Sequence, residues 1–357
     1  MKLVSEQLSG LVRNSLSHRA DEDGYVTWLR FSEAQLQFYA ADSFFDLMSQ
    51  CSSGVCFDFE TTGHELTLEC RTVDLNRKVL AQIKGELTFG EILQKLGDTV
   101  RKVNQAGSRL DIIQHFDLYV DGHYTDAVRL GNGPIAFCLN NPEHNWRHVR
   151  IWLPLYKPLA IRSIETDGEL TAVPVNRPRL LALGDSITQG FVAGKPSFCY
   201  VAQLAELLDY DALNQGIGNI THDAAILTDW DTLPAPDLIT VAYGTNDWHS
   251  GKTLSEIQSD VVAFYRRLNE VFPAVPIVVL TPIWREDLAI KQPCGTFADL
   301  TGVIRQVASA YPQVRLVDGL AVSPHCAALY SDGWLHPNIG GFSYLAPRLY
   351  RAIKGWI

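Results

Sequence analysis

The apolar and polar residues of this chain follow two different patterns, which meet near residue 175. In the first part they alternate over short runs. Residues 55–60 place three apolar side chains on one face, and residues 65–70 repeat the arrangement. A period of two is typical of a strand with one buried face. The turn residues between the two runs predict a hairpin.

Further alternating runs predict strands over residues 116–120, 149–153 and 159–164. Many short strands separated by frequent turns favour an antiparallel β-sandwich, jelly-roll-like in type. Helical periodicity is scarce in this half, and its clearest example covers residues 89–103.

The second part alternates continuous apolar runs with amphipathic stretches. Continuous apolar runs are typical of strands covered on both faces, as in a parallel sheet. The runs cover residues 180–183, 238–242, 277–280 and 314–317. The amphipathic stretches predict helices over residues 197–208 (capped by Ser197), 254–271, 297–310 and 340–353. This order predicts a three-layer doubly wound parallel sheet, an α/β fold.

The boundary between the patterns coincides with a segment that carries two prolines, residues 173–178. Proline interrupts both helices and ladders. Because 357 residues exceed what one hydrophobic core usually serves, we expect two domains. We place an accessory β-sandwich domain at residues 1–175 and an α/β domain at residues 176–357.

Charge and cysteine content exclude several classes of protein. The net charge of −10 disfavours binding to nucleic acid or to anionic membranes. No apolar run reaches the roughly 18 residues that span a bilayer, and no secretory signal is visible, so we expect a cytoplasmic protein. The seven cysteines form no C-x-x-C pair, which predicts buried free thiols and no metal site.

Three segments carry residues suited to chemistry, and the first is Gly184-Asp185-Ser186 directly after an apolar run. Ligands of doubly wound sheets bind outside the carboxyl ends of the strands, where this serine hydroxyl would lie. An ordinary βα turn and a phosphate loop are the alternatives. The sequence does not meet the P-loop pattern, because Phe191 follows Gly190, and it does not contain the dinucleotide pattern G-x-G-x-x-G either.

The second and third segments supply an amide and an imidazole. Asn246 follows the run at residues 238–242, and its side chain can donate to an oxyanion or form a turn. His336 precedes the last predicted helix. A neutral imidazole can take a proton from serine, and a carboxylate such as Asp332 can orient it.

Together these segments resemble the SGNH (GDSL-type) hydrolase superfamily, from about residue 179 to the C-terminus. The resemblance implies a flavodoxin-like α/β fold. It assigns Ser186 as nucleophile, His336 as base and Asp332 as its partner. It also implies an oxyanion hole that includes the Ser186 N–H and the Asn246 side chain, and it requires no cofactor.

Two departures from the family pattern leave alternatives open. Direct alignment of the second block puts Asn219 where the family has a glycine N–H donor, and a shift by one residue would put Gly218 there. The Asp-to-His spacing is one residue longer than usual. Asp332 therefore reaches His336 only if the loop bulges, and the other possibilities are a Ser–His dyad or, less favoured, Asp318.

The N-terminal half resembles the β-sandwich of two-domain SGNH proteins, among them carbohydrate esterases and acyltransferases. We predict a serine esterase for a small soluble ester, in which a carbohydrate ester is one option and the acyl group is short, such as acetyl. The alternatives are an acyltransferase and a carbohydrate-binding protein with an inactive hydrolase domain.

Five residues near the blocks are candidate substrate contacts, although they could equally pack loops: Asp185, Trp248, His249, Trp284 and Trp334. The pattern leaves the oligomeric state open.

Overall fold

The computed structural model describes residues 1–73, 114–131 and 133–357, so the predicted helix at residues 89–103 lies outside the described residues. Twelve strands belong to the first half of the described chain: β1 Lys2–Val4, β2 Val12–Arg13, β3 Ser17–Ala20, β4 Val26–Leu29, β5 Cys56–Thr61, β6 Glu65–Thr72, β7 His115–Val120, β8 His123–Arg129, β9 Ile135–Cys138, β10 Arg147–Trp152, β11 Leu159–Thr166 and β12 Leu170–Ala172. The second half adds β13 Arg179–Gly184, β14 Asp211–Gly216, β15 Leu238–Ala242, β16 Ile277–Leu280 and β17 Val314–Val317.

The α-helices of the described residues are short before β13 and include three long ones after it. They are α1 Ser5–Leu8, α2 Glu33–Tyr39, α3 Ser43–Ser49, α4 Ser186–Gln189, α5 Tyr200–Leu208, α6 Thr245–His249, α7 Leu254–Val271, α8 Phe297–Ala308, α9 Gly319–Val322 and α10 Ile339–Ile353.

The first half of the chain folds into two antiparallel sheets that enclose an apolar core. One sheet has the order β3-β4-β11-β6-β9, with β1 paired to β11, and the other has the order β12-β5-β10-β7-β8, with β2 paired to β5. Apolar side chains from both sheets, such as Phe57 and Leu68, fill the space between them. The prediction of antiparallel sheets in this half is confirmed.

The predicted hairpin of residues 55–70 is wrong. β5 pairs with β2, β10 and β12, whereas β6 pairs with β9 and β11 of the other sheet. The turn between β5 and β6 therefore crosses from one sheet to the other. Alternation gives each strand a buried face, but it does not choose the strand's partner.

The second half forms a parallel five-stranded sheet with the order β14-β13-β15-β16-β17. One face is covered by α7 and α8, and the other by α5 and α10. This arrangement confirms the predicted three-layer α/β fold. The pattern of apolar runs missed β14, because the buried Asn214 and Gln215 interrupt its apolar sequence.

Local sequence signals start the helices of this half. Thr253 caps α7 and Thr296 caps α8, each with an acidic side chain three residues later that completes a capping box. Ser197, in contrast, caps no helix, since α5 begins at Tyr200. The Ser197 N–H and hydroxyl instead donate to Asp117 on β7, at 2.9 Å and 2.6 Å.

The two halves of the described chain share their apolar cores. Phe31 and Tyr39 pack in the same cluster as α7 and α8, and Trp152 packs in the cluster on the opposite face of the parallel sheet. The segment between Ala172 and Arg179 joins the halves. The assignment of separate domains to residues 1–175 and 176–357 stays a prediction.

Two other expectations concern membrane-spanning helices and the state of the cysteines. Within the described ranges, every helix is too short or too polar to cross a membrane. All seven cysteines are free, and five are buried, but Cys138 and Cys326 are exposed, so the prediction of buried thiols is wrong for these two.

Candidate active site

Ser186 is the first residue of α4 and follows β13 and Asp185 directly, at the carboxyl edge of the parallel sheet. The side chain of Asp185 accepts a hydrogen bond from the Ile187 N–H at 2.9 Å and so caps α4, and Gly190 ends the helix with φ +92°. The turn packs closely on β14, because a Cβ on Gly216 would lie 2.3 Å from the backbone nitrogen of Gln189. Only glycine allows this approach.

His336 meets Ser186 across 150 residues of chain. The Ser186 Oγ lies 2.9 Å from His336 Nε2, within hydrogen-bond distance. Ser186 is 9% exposed, so its hydroxyl is largely shielded but still reachable. This pair has the geometry that a nucleophile and its base require.

Asp332 completes a chain of three side chains. Its Oδ2 lies 2.6 Å from His336 Nδ1, and its Oδ1 accepts hydrogen bonds from the N–H groups of Trp334, Leu335 and His336 at 2.8–3.0 Å. The loop is therefore wrapped around the carboxylate, with Gly333 at φ +76°. This wrapping accommodates the extra residue in the Asp-to-His spacing.

The surroundings of Asp332 hold it in its charged form. Burial raises the pKa of this carboxyl group, but hydrogen bonds from the His336 ring and from backbone N–H groups outweigh burial and lower the pKa below its ordinary value. An ionised Asp332 directs the Nδ1 proton of a neutral imidazole toward itself and leaves Nε2 as an acceptor for the serine proton.

Asp318 does not take part in this arrangement. Its side chain caps α9 and forms an ion pair with Arg305 at 3.0 Å. It is exposed at the end of β17. Of the two carboxylates considered for His336, the structure brings only Asp332 to the imidazole.

Three N–H groups on segments that follow neighbouring strands of the parallel sheet are candidate donors to a developing negative charge. Within the described part of the chain, the N–H of Ser186 and that of Asn219 have no hydrogen-bond partner, whereas the Gly218 N–H donates to Gln189 Oε1 at 2.9 Å. Asn219 has φ +66°, a conformation that asparagine tolerates. The geometry favours Asn219 over Gly218 as the donor.

The side chain of Asn246 is the third potential donor. Its Nδ2 donates to the Ile220 carbonyl at 3.0 Å, which leaves one N–H of the amide for another acceptor. Asp247 Oδ1 accepts from the His222 N–H at 3.1 Å and lies 3.1 Å from the His222 ring. These contacts hold the Asn219 segment and the Asn246 segment together.

Two of the predicted substrate contacts are wrong. Trp248, a residue of α6, is fully buried in the core, and its indole N–H donates to the Gly295 carbonyl at 3.3 Å. Asp185 is 2% exposed and serves as the cap of α4. Neither side chain presents a surface to a substrate.

Of the other three candidates, His249 and Trp334 contact Arg285. Its fully buried guanidinium lies between the rings of Trp248 and Trp334, 4.9 Å and 5.0 Å from their centroids. It also lies 2.6 Å from His249 Nε2. Trp284 stacks on His325 with ring centroids 6.1 Å apart. His249 is exposed, Trp284 and Trp334 are partly buried, and the role of all three as substrate contacts stays a prediction.

The sequence reasoning missed two aromatic residues near the site. The Phe191 ring packs edge-on against His336, with centroids 4.7 Å apart. Phe44 of α3 lies against Gly218: a Cβ placed there would be 3.4 Å from the ring. The position of Phe191 just after the serine block was a usable signal. No local signal could reveal Phe44, because 174 positions separate it from Gly218.

A large cleft among the described residues lies elsewhere. It measures about 700 Å³, and Arg177 and Asp211 line it at the amino-terminal ends of β13 and β14. Ser186 follows the opposite end of β13. This strand has 6 residues, so at the usual rise per residue of a strand its two ends are roughly 20 Å apart. The cleft is charged, but its arginines are paired with carboxylates.

The described residues contain no group of three or more His, Cys, Asp or Glu side chains that could hold a metal ion. The site consists of a hydroxyl, an imidazole, a carboxylate and three N–H donors. This set can transfer an acyl group through a covalent serine intermediate.

Comparisons with known proteins identify a similar family and similar folds. Residues 182–342 match the model of the GDSL-like Lipase/Acylhydrolase family. A search of curated proteins finds no match. Among solved structures, the chain is similar to a salicylyl-acyltransferase from a tetracycline biosynthetic pathway, at 18% identity over 99% of this chain and 97% of that one, with a TM-score of 0.76.

Two esterase structures are also similar along their whole length. A family two carbohydrate esterase from Cellvibrio japonicus is 17% identical, over 99% of this chain and 98% of its own, with a TM-score of 0.62. An acetyl xylan esterase from the rumen bacterium Butyrivibrio proteoclasticus is 16% identical over 100% of both chains, with a TM-score of 0.61. At these identities the likeness shows the fold. Residues 182–342 therefore match the GDSL-like lipase/acylhydrolase family, and the C-terminal parallel sheet with its helices has the SGNH fold, preceded by N-terminal antiparallel sheets.

Proposed function

We propose that this chain is a serine esterase that acts through an acyl-enzyme on Ser186. The observation that supports it most directly is the continuous chain of contacts from Ser186 Oγ to His336 and on to Asp332, at 2.9 Å and 2.6 Å. The N–H groups of Ser186 and of Asn219, after the neighbouring strand, also have no hydrogen-bond partner among the described residues. A residue that only stabilised the fold would need no such alignment.

The reaction proceeds in two steps. His336 Nε2 takes the proton of Ser186 as its Oγ attacks the ester carbonyl carbon. The resulting oxyanion accepts hydrogen bonds from the N–H groups of Ser186 and Asn219 and from the Asn246 amide. Loss of one such donor typically costs about 2.7–4 kcal/mol. His336 then gives its proton to the departing alcohol, and water attacks the acyl-enzyme with His336 again as base.

For the substrate, we propose a small soluble ester with a short acyl group such as acetyl. Two of the similar structures carry the names of carbohydrate-active esterases, which supports a carbohydrate as the alcohol. In this proposal residues 176–357 form the catalytic domain. Residues 1–175 form an accessory domain that contributes to the rim of the active site.

Hydrolysis of 4-nitrophenyl acetate tests the esterase proposal. The wild type should turn over and should gain a covalent adduct on Ser186 after treatment with a fluorophosphonate. Ser186→Ala should lose both while keeping its circular dichroism spectrum. Ser259→Ala, an exposed serine on α7, serves as the matched control. Equal rates for wild type and Ser186→Ala would contradict the esterase and favour a carbohydrate-binding protein with an inactive hydrolase domain.

An acyltransferase is the second candidate, because the acyltransferase has the highest TM-score of the three structures compared, 0.76. It would use the same acyl-enzyme and differ only in the acceptor. Product analysis with competing alcohols distinguishes the two. A transferase should give mainly the new ester at millimolar alcohol, whereas an esterase should give mainly the free acid.

A further inference from the structure

Helix α3 of the N-terminal half lies directly beside the predicted oxyanion hole. A Cβ placed on Gly218 would lie 3.4 Å from Cζ and 3.7 Å from Cε1 of Phe44, so the ring rests on the backbone of Gly218. The next residue is Asn219, whose N–H has no hydrogen-bond partner in the part of the chain that the structure describes. Phe44 is therefore a neighbour of the reacting groups although it is remote in sequence.

The helix that carries Phe44 is firmly anchored there. The buried guanidinium of Arg30 donates to the carbonyls of Met48 and Cys51 at 2.8 Å and 3.0 Å, and to those of Asn214 and Gly216 at 2.7 Å each. One cation thus ties the end of α3 to the end of β14. The position of Phe44 next to Gly218 is consequently part of the fold.

A second link runs through the nucleophile turn. Gln189 accepts the Gly218 N–H through Oε1 and donates through Nε2 to the sulfur of Met48 at 3.7 Å. Gln189 belongs to the same short helix as Ser186. The α3 helix, the Gly218 segment and the nucleophile turn therefore form one connected surface.

The ring of Phe44 leaves part of its surface uncovered. Its exposed fraction is 45%, whereas the adjacent Phe45 packs against the core. An exposed phenylalanine fixed beside a reacting centre offers an apolar contact to whatever binds there.

The geometry of the tetrahedral intermediate indicates which substrate group faces this ring. The departing alcohol must lie next to His336, which protonates it, and there it meets Phe191. The oxyanion points to the N–H donors. Phe44 contacts Gly218, next to the Asn219 donor, and among the described residues it makes no ring contact with His336. The remaining substituent of the carbon, the acyl group, is therefore the one assigned to it.

We infer that Phe44 is a specificity-determining residue that binds the apolar carbons of the acyl group, so that the enzyme prefers acyl groups longer than acetyl within the short-chain range. This inference rests on the proposed esterase function and refines its substrate class. Each additional buried methylene contributes about a fourfold gain in kcat/KM.

The test compares 4-nitrophenyl acetate, propionate and butyrate with the full-length protein. In the wild type, kcat/KM should rise from acetate to butyrate. In Phe44→Ala the ratio of butyrate to acetate should fall roughly tenfold, and Phe44→Leu should recover much of it, since leucine keeps an apolar contact. Trp146→Ala removes an equally exposed ring of the N-terminal half, 51% exposed, and should leave the ratio unchanged.

The outcomes separate this inference from the proposed function. If hydrolysis depends on Ser186 but the butyrate-to-acetate ratio is the same in Phe44→Ala and wild type, the role of Phe44 is overturned and the esterase stands. If no ester of the series is hydrolysed in a Ser186-dependent manner, the esterase itself is overturned. A ratio that falls equally in Trp146→Ala would also refute a specific role for Phe44.

Discussion

At the scale of single residues, the two oxygens of Asp332 have different partners. Oδ1 accepts the N–H groups of three consecutive residues and shapes the loop, while Oδ2 faces the ring of His336. The Asp332 carboxylate thus shapes the loop that carries His336 and also orients the imidazole ring. The structural and the electrostatic contributions of Asp332 can be separated by a substitution that keeps its shape.

Asp332→Asn should lower kcat by about 10³–10⁴-fold with little change in fold. The amide oxygen can still accept the three backbone N–H groups. An amide N–H that faces His336 Nδ1, however, favours the tautomer with the ring proton on Nε2. A protonated Nε2 cannot accept the proton of the serine hydroxyl. Steady-state kinetics on 4-nitrophenyl acetate would measure the loss. Asp318→Asn is the matched control, and a variant of Asp332 that kept a tenth of wild-type kcat would contradict the orienting role.

Asp185 makes stability depend on pH. Burial raises the pKa of this carboxyl group to about 7, although the Ile187 N–H and the His336 ring oppose the rise. Because the folded state favours the protonated form, the contribution of Asp185 to stability is fully present below its unfolded pKa of about 3.9 and is lost as the pH rises through about 7.

Asp185→Asn should abolish this loss, because an amide does not ionise and its oxygen can still cap α4. The free energy of unfolding of the variant relative to wild type should therefore rise by roughly 2–3 kcal/mol between pH 5 and pH 8. Urea unfolding at the two pH values measures the change. If the free energies of unfolding of variant and wild type differed by the same amount at both pH values, burial would not raise the pKa of Asp185.

At the scale of elements, the position of Ser186 depends on how closely α4 approaches the sheet. A Cβ on Gly216 would lie 2.3 Å from the nitrogen of Gln189 and 2.7 Å from the carbonyl carbon of Thr188. Both are backbone atoms that cannot rotate away. A side chain at this position must therefore displace the helix that carries the nucleophile.

Gly216→Ala should accordingly lower kcat/KM by at least about tenfold, since displacements near 1 Å in a catalytic group have costs of this order or larger. The melting temperature should fall as well. Gly302→Ala in α8 is the matched control, because nothing lies within 4 Å of its added Cβ. That variant should keep full activity and gain roughly 0.5–1 kcal/mol from helix propensity. Full activity in Gly216→Ala would mean that the turn tolerates movement.

At the scale of the whole molecule, Arg30 joins the two halves. Its fully buried guanidinium donates to four carbonyl oxygens, two on each side of the interface. Burial lowers its pKa to about 10, so it remains charged at neutral pH. Loss of the guanidinium would take a donor from four carbonyls, of which that of Met48 would keep the Cys51 N–H at 3.3 Å. A buried polar group left unsatisfied costs about 1–3 kcal/mol.

Arg30→Met should therefore reduce the free energy of unfolding by roughly 3–5 kcal/mol, the range for breaking a buried charged contact. Equilibrium unfolding in urea gives the value. Arg266→Met, at a side chain that is 70% exposed on α7, should change it by less than about 0.5 kcal/mol. If Arg30→Met unfolded at the same urea concentration as wild type, the link between the halves would not stabilise the fold.

The sequence alone sufficed for features that depend on neighbours along the chain. The change of pattern near residue 175, the parallel α/β order and the blocks around Ser186, Asn246 and His336 could all be predicted, because a strand end, a turn and a cap are specified within a few residues. The antiparallel character of the first half followed from its alternation and turns.

Only the tertiary structure decided which of these local pieces meet. Strand pairing placed β5 and β6 in different sheets, loop wrapping brought Asp332 to His336, and burial removed Trp248 and Asp185 from the substrate surface. Phe44 reached Gly218 because a buried arginine holds two distant segments together. Such contacts depend on the free energy of packing the whole chain, which no local pattern of residues encodes.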